Sequence, residues 1–192
     1  LVAEWEEIES SLKVPDVPWK DRGIYLVTGG AGGLGFIFAK EIATHVSDAT
    51  LILTGRSLLD RDKKAKLKEL EATGATIQYR QADVTQRQVV TDLLQSIQKD
   101  FGGLHGIIHS AGVIKDNFIL KKTEAEFQKV LAPKVSGLVN LDECGKDLSL
   151  EFFICFSSAA GAVGNIGQVD YACANAFMDA YTAYRNELVS EK

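Results

Sequence analysis

The sequence has few of the features of nucleic-acid-binding, membrane-spanning or secreted proteins. Its 21 basic residues are fewer than its 26 acidic residues, which gives a formal net charge of -5, and the basic residues are scattered. Phosphate backbones and anionic lipid surfaces attract clustered Lys and Arg, so we expect no nucleic-acid and no membrane partner. The apolar runs are strand-sized and the acidic start LVAEWEEIES has no apolar core, which predicts no signal peptide. We therefore expect a cytoplasmic protein.

Cysteine is also scarce. The three cysteines, Cys144, Cys155 and Cys173, have no metal-ligand spacing and are too few for a disulfide framework. Cys155 and Cys173 lie in apolar stretches, which favours small buried side chains over nucleophiles. No metal site is expected.

The remaining composition and pattern predict one α/β domain. With 46% hydrophobic and 24% charged residues, the 192-residue chain has enough apolar surface for one core. From residue 24 onward, β-branched apolar runs alternate with helical stretches, the pattern of a parallel sheet buried on both faces. The predicted strands are 24–28, 50–54, 76–80, 104–109 and 151–157, and the predicted helices are 33–46, 60–73, 86–100, 123–144 and 168–189. Right-handed crossovers then favour a three-layer, doubly wound, Rossmann-like sheet with the order 3-2-1-4-5.

The first 22 residues differ from the rest. Residues 1–22 contain Pro15, Pro18 and several charges, with Trp5 and Trp19 as their large apolar side chains. This composition predicts a linker or the tail of a preceding subdomain, followed by a catalytic domain over 23–192. The chain starts without methionine, from which we expect a piece of a longer protein.

A glycine-rich loop, TGGAGGLG at residues 28–35, joins the first strand to the first helix. Glycine permits the tight turn and brings the backbone close to a pyrophosphate, whose charge is met by the N–H groups of the helix start. A flexible turn is the alternative, and the order strand, loop, helix makes it weaker. The candidate cofactor-binding residues of the loop are Thr28, Gly29, Gly30, Ala31, Gly33, Leu34 and Gly35.

The end of the second strand indicates which dinucleotide binds. NAD enzymes place a carboxylate there to accept hydrogen bonds from the ribose 2′-hydroxyl. This sequence has Arg56 and Ser57 instead, and an arginine pairs with a 2′-phosphate through charge-assisted hydrogen bonds. A solvated loop arginine is the alternative. We predict NADPH as the cofactor.

One lysine lies where a lysine is unexpected. Lys134 falls in the middle of an apolar stripe formed at helical spacing by Phe127, Leu131, Leu138 and Leu141. Burying a lysine without a partner costs free energy, so the ammonium either reaches solvent or has a functional polar neighbour. We favour the second interpretation.

Several motifs together resemble the short-chain dehydrogenase/reductase superfamily. The loop spacing Gly29-x-x-x-Gly33-x-Gly35 resembles its cofactor loop, Asp83 and Val84 occupy the position of its adenine contact, and HSAG, with Ala111 and Gly112, stands where it usually has NNAG. The superfamily uses a tyrosine as its proton donor, and because a phenol has a pKa near 10, a neighbouring cation is needed to stabilise the phenolate. Most members place that lysine four residues after the tyrosine.

Here Tyr171 is followed four residues later by Asn175. An asparagine thus stands where most members have the lysine, and Lys134 is the candidate to replace it. This exchange of lysine and asparagine resembles the ketoreductase domains of polyketide synthases, as do the motifs LTGRS, APKVSG around Lys134 and FSSAAGAVGNIGQVDYACANAFMDA. The resemblance implies that Tyr171 protonates a ketone oxygen, Ser158 hydrogen-bonds it, and Lys134 stabilises the phenolate and binds the nicotinamide ribose. Asn175 would hold Lys134 or a water in the proton relay.

The same resemblance implies the substrate and its partners. The substrate would be a β-ketoacyl thioester on the phosphopantetheine arm of an acyl carrier protein, with other polyketide synthase modules as neighbours. Of the family's Leu-Asp-Asp stereochemical marker this chain keeps Asp116, and 159–170 contains no Trp, so we predict the D-hydroxyl (B-type) product. The family's lid helix and last strand would lie beyond Lys192, which predicts weak NADPH binding by this chain alone.

Three of the proposed catalytic residues also have a purely structural interpretation: Ser158 as a capping hydroxyl, Tyr171 as a half-buried aromatic and Asn175 as a tolerated helix residue. The helix register places Tyr171 and Asn175 on one face and predicts a separate packing stripe. Its members are Phe177, Tyr181, Tyr184 and Leu188. Two other functions stay open: a freestanding short-chain reductase of small ketones or fatty-acyl substrates, and a non-catalytic reductase-fold scaffold within a megasynthase.

Overall fold

The computed structural model describes residues 17–190, and a five-stranded parallel sheet forms the centre of that region. The expectations for Trp5 and Pro15 lie outside the described residues. The strands are Ile24–Thr28 (β1), Thr50–Gly55 (β2), Thr76–Gln81 (β3), Gly106–His109 (β4) and Phe152–Cys155 (β5). Their order is β3-β2-β1-β4-β5 with every neighbouring pair parallel, which confirms the predicted doubly wound fold. The fourth and fifth strands are shorter than predicted, because apolar residues continue past the paired segments.

Helices cover both faces of this sheet. They are Gly33–His45 (α1), Arg61–Glu71 (α2), Arg87–Phe101 (α3), Glu124–Lys134 (α4), Ser136–Cys144 (α5), Ala160–Val163 (α6) and Val169–Ser190 (α7), with one 3₁₀ turn at Ile119–Lys121. None of the helices within residues 17–190 has the length and apolarity of a membrane span.

The helix predicted over 123–144 is two helices. It begins at a capping box in which Thr123 and Glu126 satisfy each other's backbone N–H groups. Pro133 then lies in the last turn of α4, where its ring removes one N–H donor and crowds the preceding turn. The chain turns at Val135 before α5 begins, so a continuous periodicity in the sequence hides a break in the backbone.

The core lies in two layers on either side of the sheet. On one face Tyr25 and Val27 pack against Ile42 of α1, and on the other face Leu26 packs against Val90 of α3. Full burial of a large aliphatic side chain stabilises a fold by about 1.5–3 kcal/mol, so this alternation along β1 fixes the sheet between its helix layers. The rigid sheet edge that results is where the site is built.

Trp19, from the segment predicted to be a linker or tail, packs onto this core. Its ring lies edge-on to Phe38 at 6.4 Å and to Phe152 at 6.1 Å between centroids. The segment just before β1 is also tied down, because Lys20 N donates to the Tyr25 hydroxyl at 2.8 Å.

Three residues of α7 that were predicted to be packed or buried are exposed. Tyr184 and Leu188 are 55% and 43% exposed, although Phe177 and Tyr181 stack at 5.6 Å. Cys173 is exposed as well. The face of α7 that packs against α4 and α6 carries Ala174, Asn175 and Met178, so a residue one position earlier is rotated out of it.

Candidate active site

A cleft of about 630 Å³ lies at the carboxyl edge of the sheet. The residue that follows each of the five strands lines it: Gly29, Arg56, Ala82, Ser110 and Phe156. Open α/β sheets bind ligands at this edge, beside the point where the strand order reverses. The fold therefore brings loops from distant parts of the sequence to one site.

The glycine loop forms one wall of the cleft. Gly29 has a φ of +68°, and a Cβ there would lie 2.8 Å from the Ser110 carbonyl oxygen. A Cβ on Gly35 would lie 2.6 Å from the Gly29 carbonyl oxygen, whereas one on Gly33 would meet nothing within 4 Å. Two of these glycines thus hold the turn together, and Gly33 leaves the backbone open to the cleft.

The first turn of α1 suits an anion. Its N-cap is Gly32, and no side chain of the described chain caps it, while the first turn has no acidic residue. The first N–H groups of a helix have no partner within the helix, and the helix dipole favours negative charge there. Gly33 and Leu34, which line the cleft, belong to this turn.

Three of the predicted loop residues do not line the cleft in this structure. Thr28 is buried, and its Oγ1 lies 2.7 Å from His109 Nδ1. Gly30 packs beneath Leu53, where a Cβ would come within 2.8 Å of a methyl carbon. Gly35 packs against the turn, so these three residues shape the loop from below.

Arg56 and Ser57 line the cleft at the end of β2. The backbone of this pair is fixed, because Gln81 donates to the Arg56 carbonyl at 2.8 Å and the Tyr79 hydroxyl to the Ser57 carbonyl at 2.6 Å. Lys63 of α2 adds a second cation by donating to Ser57 Oγ at 3.2 Å. Its hydrogen bond to Asp60 raises the pKa of Lys63, so it is charged at neutral pH.

Asp83 and Val84 line the next part of the cleft. Asp83 Oδ1 accepts hydrogen bonds from the backbone N–H and the hydroxyl of Thr85, at 3.0 and 2.8 Å. The carbonyl of Val84 accepts from Asn140 Nδ2 at 3.0 Å. Hydrogen bonds to neighbouring residues thus fix the Asp83 side chain and the Val84 backbone.

Lys134 is 6% exposed and reaches into the opposite end of the cleft. Its Nζ donates to the Phe156 carbonyl oxygen at 2.8 Å and lies 5.4 Å from the centroid of the Tyr171 ring. A Cβ on Gly112 would come within 3.3 Å of Lys134 Cε, so a glycine leaves room for the lysine. Burial lowers the pKa of Lys134, because it penalises the ammonium.

Asn175 is fully buried on the same face of α7 as Tyr171. Its Nδ2 donates to the Tyr171 carbonyl oxygen at 2.7 Å, and its Oδ1 accepts no hydrogen bond from the described residues. Within those residues Lys134 Nζ bonds to Phe156 and Met178, so of the two alternatives implied by the resemblance the direct bond from Asn175 to Lys134 is not formed.

Two adjacent serines follow β5. Ser158 is half-buried two residues before α6, where its Oγ accepts from Ala160 N at 3.2 Å, and it is not among the residues that line the cleft. Ser157, which the sequence did not single out, lines the cleft, and its hydroxyl donates to the Asn175 carbonyl at 3.3 Å. The sequence pattern alone does not separate the two.

His109 is a buried residue that joins two parts of the site. Its Nε2 lies 3.0 Å from the Pro133 carbonyl oxygen, which only accepts, so Nε2 carries the hydrogen and Nδ1 accepts from Thr28. Burial first, and the Lys134 ammonium second, lower the pKa of His109 to about 4, against the opposing effect of the Pro133 carbonyl. A neutral imidazole thus ties β1 to the residue that precedes Lys134.

The chain has relatives among the polyketide synthases and their ketoreductase domains. The family model described as KR domain matches residues 23–191. Polyketide synthase PksL of Bacillus subtilis (strain 168) is 60% identical over 97% of this chain and 4% of that protein, and PksN of the same strain is 54% identical over 98% and 3%. A crystal structure of a ketoreductase domain from the bacillaene assembly line superposes with a TM-score of 0.92 at 52% identity, covering 94% of this chain and 43% of that one.

The chain belongs to the ketoreductase domains of polyketide synthases. Such domains are oxidoreductases with the short-chain dehydrogenase/reductase fold, and the sheet order found here is consistent with that fold. The chain spans less than half of the solved ketoreductase structure and a few per cent of the synthases that it matches.

The predicted stereochemical residue of this ketoreductase domain lies at the rim of the site. Asp116 is exposed in the loop between β4 and α4, and its Oδ2 accepts from Gln168 Nε2 at 2.9 Å. It does not line the cleft, whereas Val113 and Ile114 of the same loop do. The ketoreductase domain shows no group of three potential metal-ligating side chains within residues 17–190.

Proposed function

We propose that this ketoreductase domain uses NADPH to reduce a β-ketoacyl thioester, carried by an acyl carrier protein, to the β-hydroxyacyl thioester with a D-hydroxyl. The observation that carries the proposal is the buried Lys134 ammonium 5.4 Å from the ring centroid of Tyr171, at the end of a cleft that begins at Arg56. The polyketide synthases among the relatives support the substrate class, because the resemblance to their ketoreductase domains implies a β-ketoacyl thioester.

The cleft residues fit NADPH along its length. The α1 N-terminus suits the pyrophosphate, and the fixed Asp83 and Val84 suit the adenine. Arg56 and Lys63 offer two cations for a 2′-phosphate, and the Asp60 carboxylate beside Lys63 already pairs with that lysine at 2.9 Å. Two cations at this position favour NADPH over NADH.

Tyr171 is the proposed proton donor. When bound, NADPH supplies the hydride for the keto carbon, and the Tyr171 hydroxyl gives its proton to the ketone oxygen. The phenolate that remains is stabilised by the Lys134 ammonium, which is held in the apolar interior where charge interactions are strong. Ser158 Oγ accepts the Ala160 N–H and donates to none of the described residues, so its own hydrogen is free for the ketone oxygen.

Asn175 supports the proton supply in this proposal. Its side-chain amide holds the Tyr171 carbonyl, and its buried Oδ1 is an acceptor for a bridging water beside Lys134. We infer that Asn175 serves the relay through such a water rather than by a direct contact with Lys134.

The test is NADPH oxidation with a β-ketoacyl thioester of N-acetylcysteamine, using the complete protein. We expect turnover by the wild type and a loss of about a hundredfold or more in kcat for Tyr171→Phe. Tyr184→Phe, an exposed tyrosine on the same helix, is the matched control and should turn over normally. No wild-type turnover would overturn the proposal, and full activity of Tyr171→Phe would remove Tyr171 from its role.

The D-hydroxyl assignment is tested separately. Chiral chromatography of the reduced thioester should show the D-alcohol as the main product. A predominantly L-alcohol product would contradict the assignment and leave the ketoreductase activity standing.

A further inference from the structure

A buried ion pair lies just outside the cleft. Lys122 Nζ is 2.5 Å from Asp170 Oδ2, and the two side chains are 3% and 1% exposed. In every other ion pair of the described residues both side chains are at least 20% exposed. Exposed pairs contribute little to stability, and burying two charges is unfavourable unless their geometry is good. Unlike the exposed pairs, this pair therefore needs hydrogen-bond partners around it to offset the loss of hydration of both charges.

The pair is well satisfied by hydrogen bonds. Asp170 Oδ1 accepts from the backbone N–H of Tyr171 at 2.9 Å, while its other oxygen faces Lys122. Lys122 Nζ also donates to the carbonyl of Lys115. The carboxylate thus holds the first turn of α7 at Tyr171, and the ammonium holds the loop that carries Asp116.

Two further contacts join the same segments. Asn117 N donates to the Gly167 carbonyl at 2.9 Å, and Gln168 Nε2 donates to Asp116 Oδ2 at 2.9 Å. The loop 113–123 lines the cleft through Ile114, and the segment 164–170 leads directly to Tyr171. Three contacts between these two segments make the position of one depend on the position of the other.

We propose that Lys122 and Asp170 are positioning residues that couple the rim loop 113–123 to the Tyr171 hydroxyl. The proposal rests on the proposed reduction, because the coupled parts are the proton donor and the loop beside the keto substrate. Two apolar side chains would fill the same space without directional bonds, whereas this pair fixes a backbone N–H and a carbonyl at defined points. A loose rim would allow the ketone to meet Tyr171 in a second orientation, and the product would then lose stereochemical purity.

The experiment compares five variants of the complete protein, one of which is a control. Lys122→Met and Asp170→Asn each break the pair, and the double variant removes both charges so that neither is left buried alone. Lys122→Arg keeps the charge and is the conservative variant. Lys40→Met, which breaks the exposed Lys40–Glu69 pair on the α1 side, is the matched control. The readouts are kcat, KM, the D-to-L ratio of the alcohol and hydrogen exchange of 113–123 and 164–172.

We expect kcat to fall about 10- to 100-fold in Lys122→Met, Asp170→Asn and the double variant, as for a small misplacement of a catalytic group. The share of the minor alcohol should rise, while KM for NADPH stays within about twofold. Exchange should increase in both segments even when only Lys122 is changed. Lys122→Arg should recover most of the stereochemical ratio, and Lys40→Met should behave as the wild type.

A purely structural pair would give a different result. Folded variants with the wild-type kcat, alcohol ratio and exchange would overturn the proposal, as would increased exchange confined to the loop of the changed residue. If a single variant fails to fold, the double variant and Lys122→Arg decide. If the wild type itself does not reduce the thioester, the proposed function fails, and the exchange data alone decide whether Lys122 holds the Tyr171 segment.

Discussion

His109 Nε2 donates to the carbonyl oxygen of Pro133, the residue that immediately precedes Lys134. The bond crosses from the end of β4 to the last turn of α4, in which Pro133 lies. The position of the Lys134 ammonium therefore depends on a neutral imidazole held in the interior, and two of our predictions concern this arrangement.

The first prediction is a pH dependence of stability. The pKa of His109 is lowered to about 4 in the folded protein from an ordinary value of 6.5. Between these values the unfolded chain binds a proton that the folded protein does not, so stability is full above pH 6.5 and declines as the pH falls toward 4. The loss should approach about 3 kcal/mol. Urea unfolding across this range measures it.

The control is a variant without the titrating group. His109→Gln should show a shallower decline over the same range, and His45→Gln, an exposed histidine, should match the wild type. Equal slopes for His109→Gln and the wild type would show that other groups cause the decline.

The second prediction separates stability from activity at Lys134. Lys134→Met removes an ammonium whose burial is unfavourable and fills the space with a side chain of similar length. We expect the free energy of unfolding to stay equal or rise, while kcat falls about a hundredfold or more because the phenolate loses its cation. Thermal unfolding and thioester reduction on the same sample test this. A variant that loses stability and activity in parallel would indicate that Lys134 is mainly structural.

These residues also show what the sequence reveals and what it does not. The alternation of apolar runs with helical stretches predicted all five strands and, with right-handed crossovers, their order, because the inner strands of a parallel sheet are buried on both faces. The stripe around Lys134 predicted its burial for the same physical reason. Both inferences depend on local periodicity, which the printed sequence contains in full.

Local periodicity does not predict contacts between residues that are distant in the sequence. Lys63 looks like any lysine of the charged helix RDKKAKLK, and only the fold brings it to Ser57. The pairing of Lys122 with Asp170 has no local signal either. The packing predicted for Tyr184 and Leu188 is not found, because periodicity shows that a helix face is apolar but not whether a neighbour covers it.

The third prediction concerns the choice of dinucleotide. Arg56→Ala should weaken NADPH binding by about 10- to 100-fold, since a charge-assisted hydrogen bond contributes about 1.5–3 kcal/mol. Lys63→Met should weaken it less, because Lys63 is shared with Asp60. NADH affinity should change by less than about twofold in both variants, since NADH has no 2′-phosphate. Fluorescence titration with each dinucleotide measures this, and Lys68→Met on the same helix is the control. Equal losses for NADPH and NADH would contradict a 2′-phosphate contact.

The fourth prediction compares two glycines of one loop. An alanine at Gly35 would place its Cβ 2.6 Å from the Gly29 carbonyl oxygen, a backbone atom with little room to move, whereas an alanine at Gly33 meets nothing within 4 Å. Gly35→Ala should therefore lower the free energy of unfolding by about 1–3 kcal/mol, as overpacking does.

Gly33→Ala should leave stability within about 0.5 kcal/mol of the wild type. It should nevertheless weaken NADPH binding, because its methyl group would project into the space that the pyrophosphate needs beside the α1 N-terminus. Denaturant unfolding and dinucleotide titration on both variants separate the two effects. If Gly33→Ala bound NADPH as tightly as the wild type, the pyrophosphate would have to lie elsewhere in the cleft, and the role of the α1 N-terminus would be refuted.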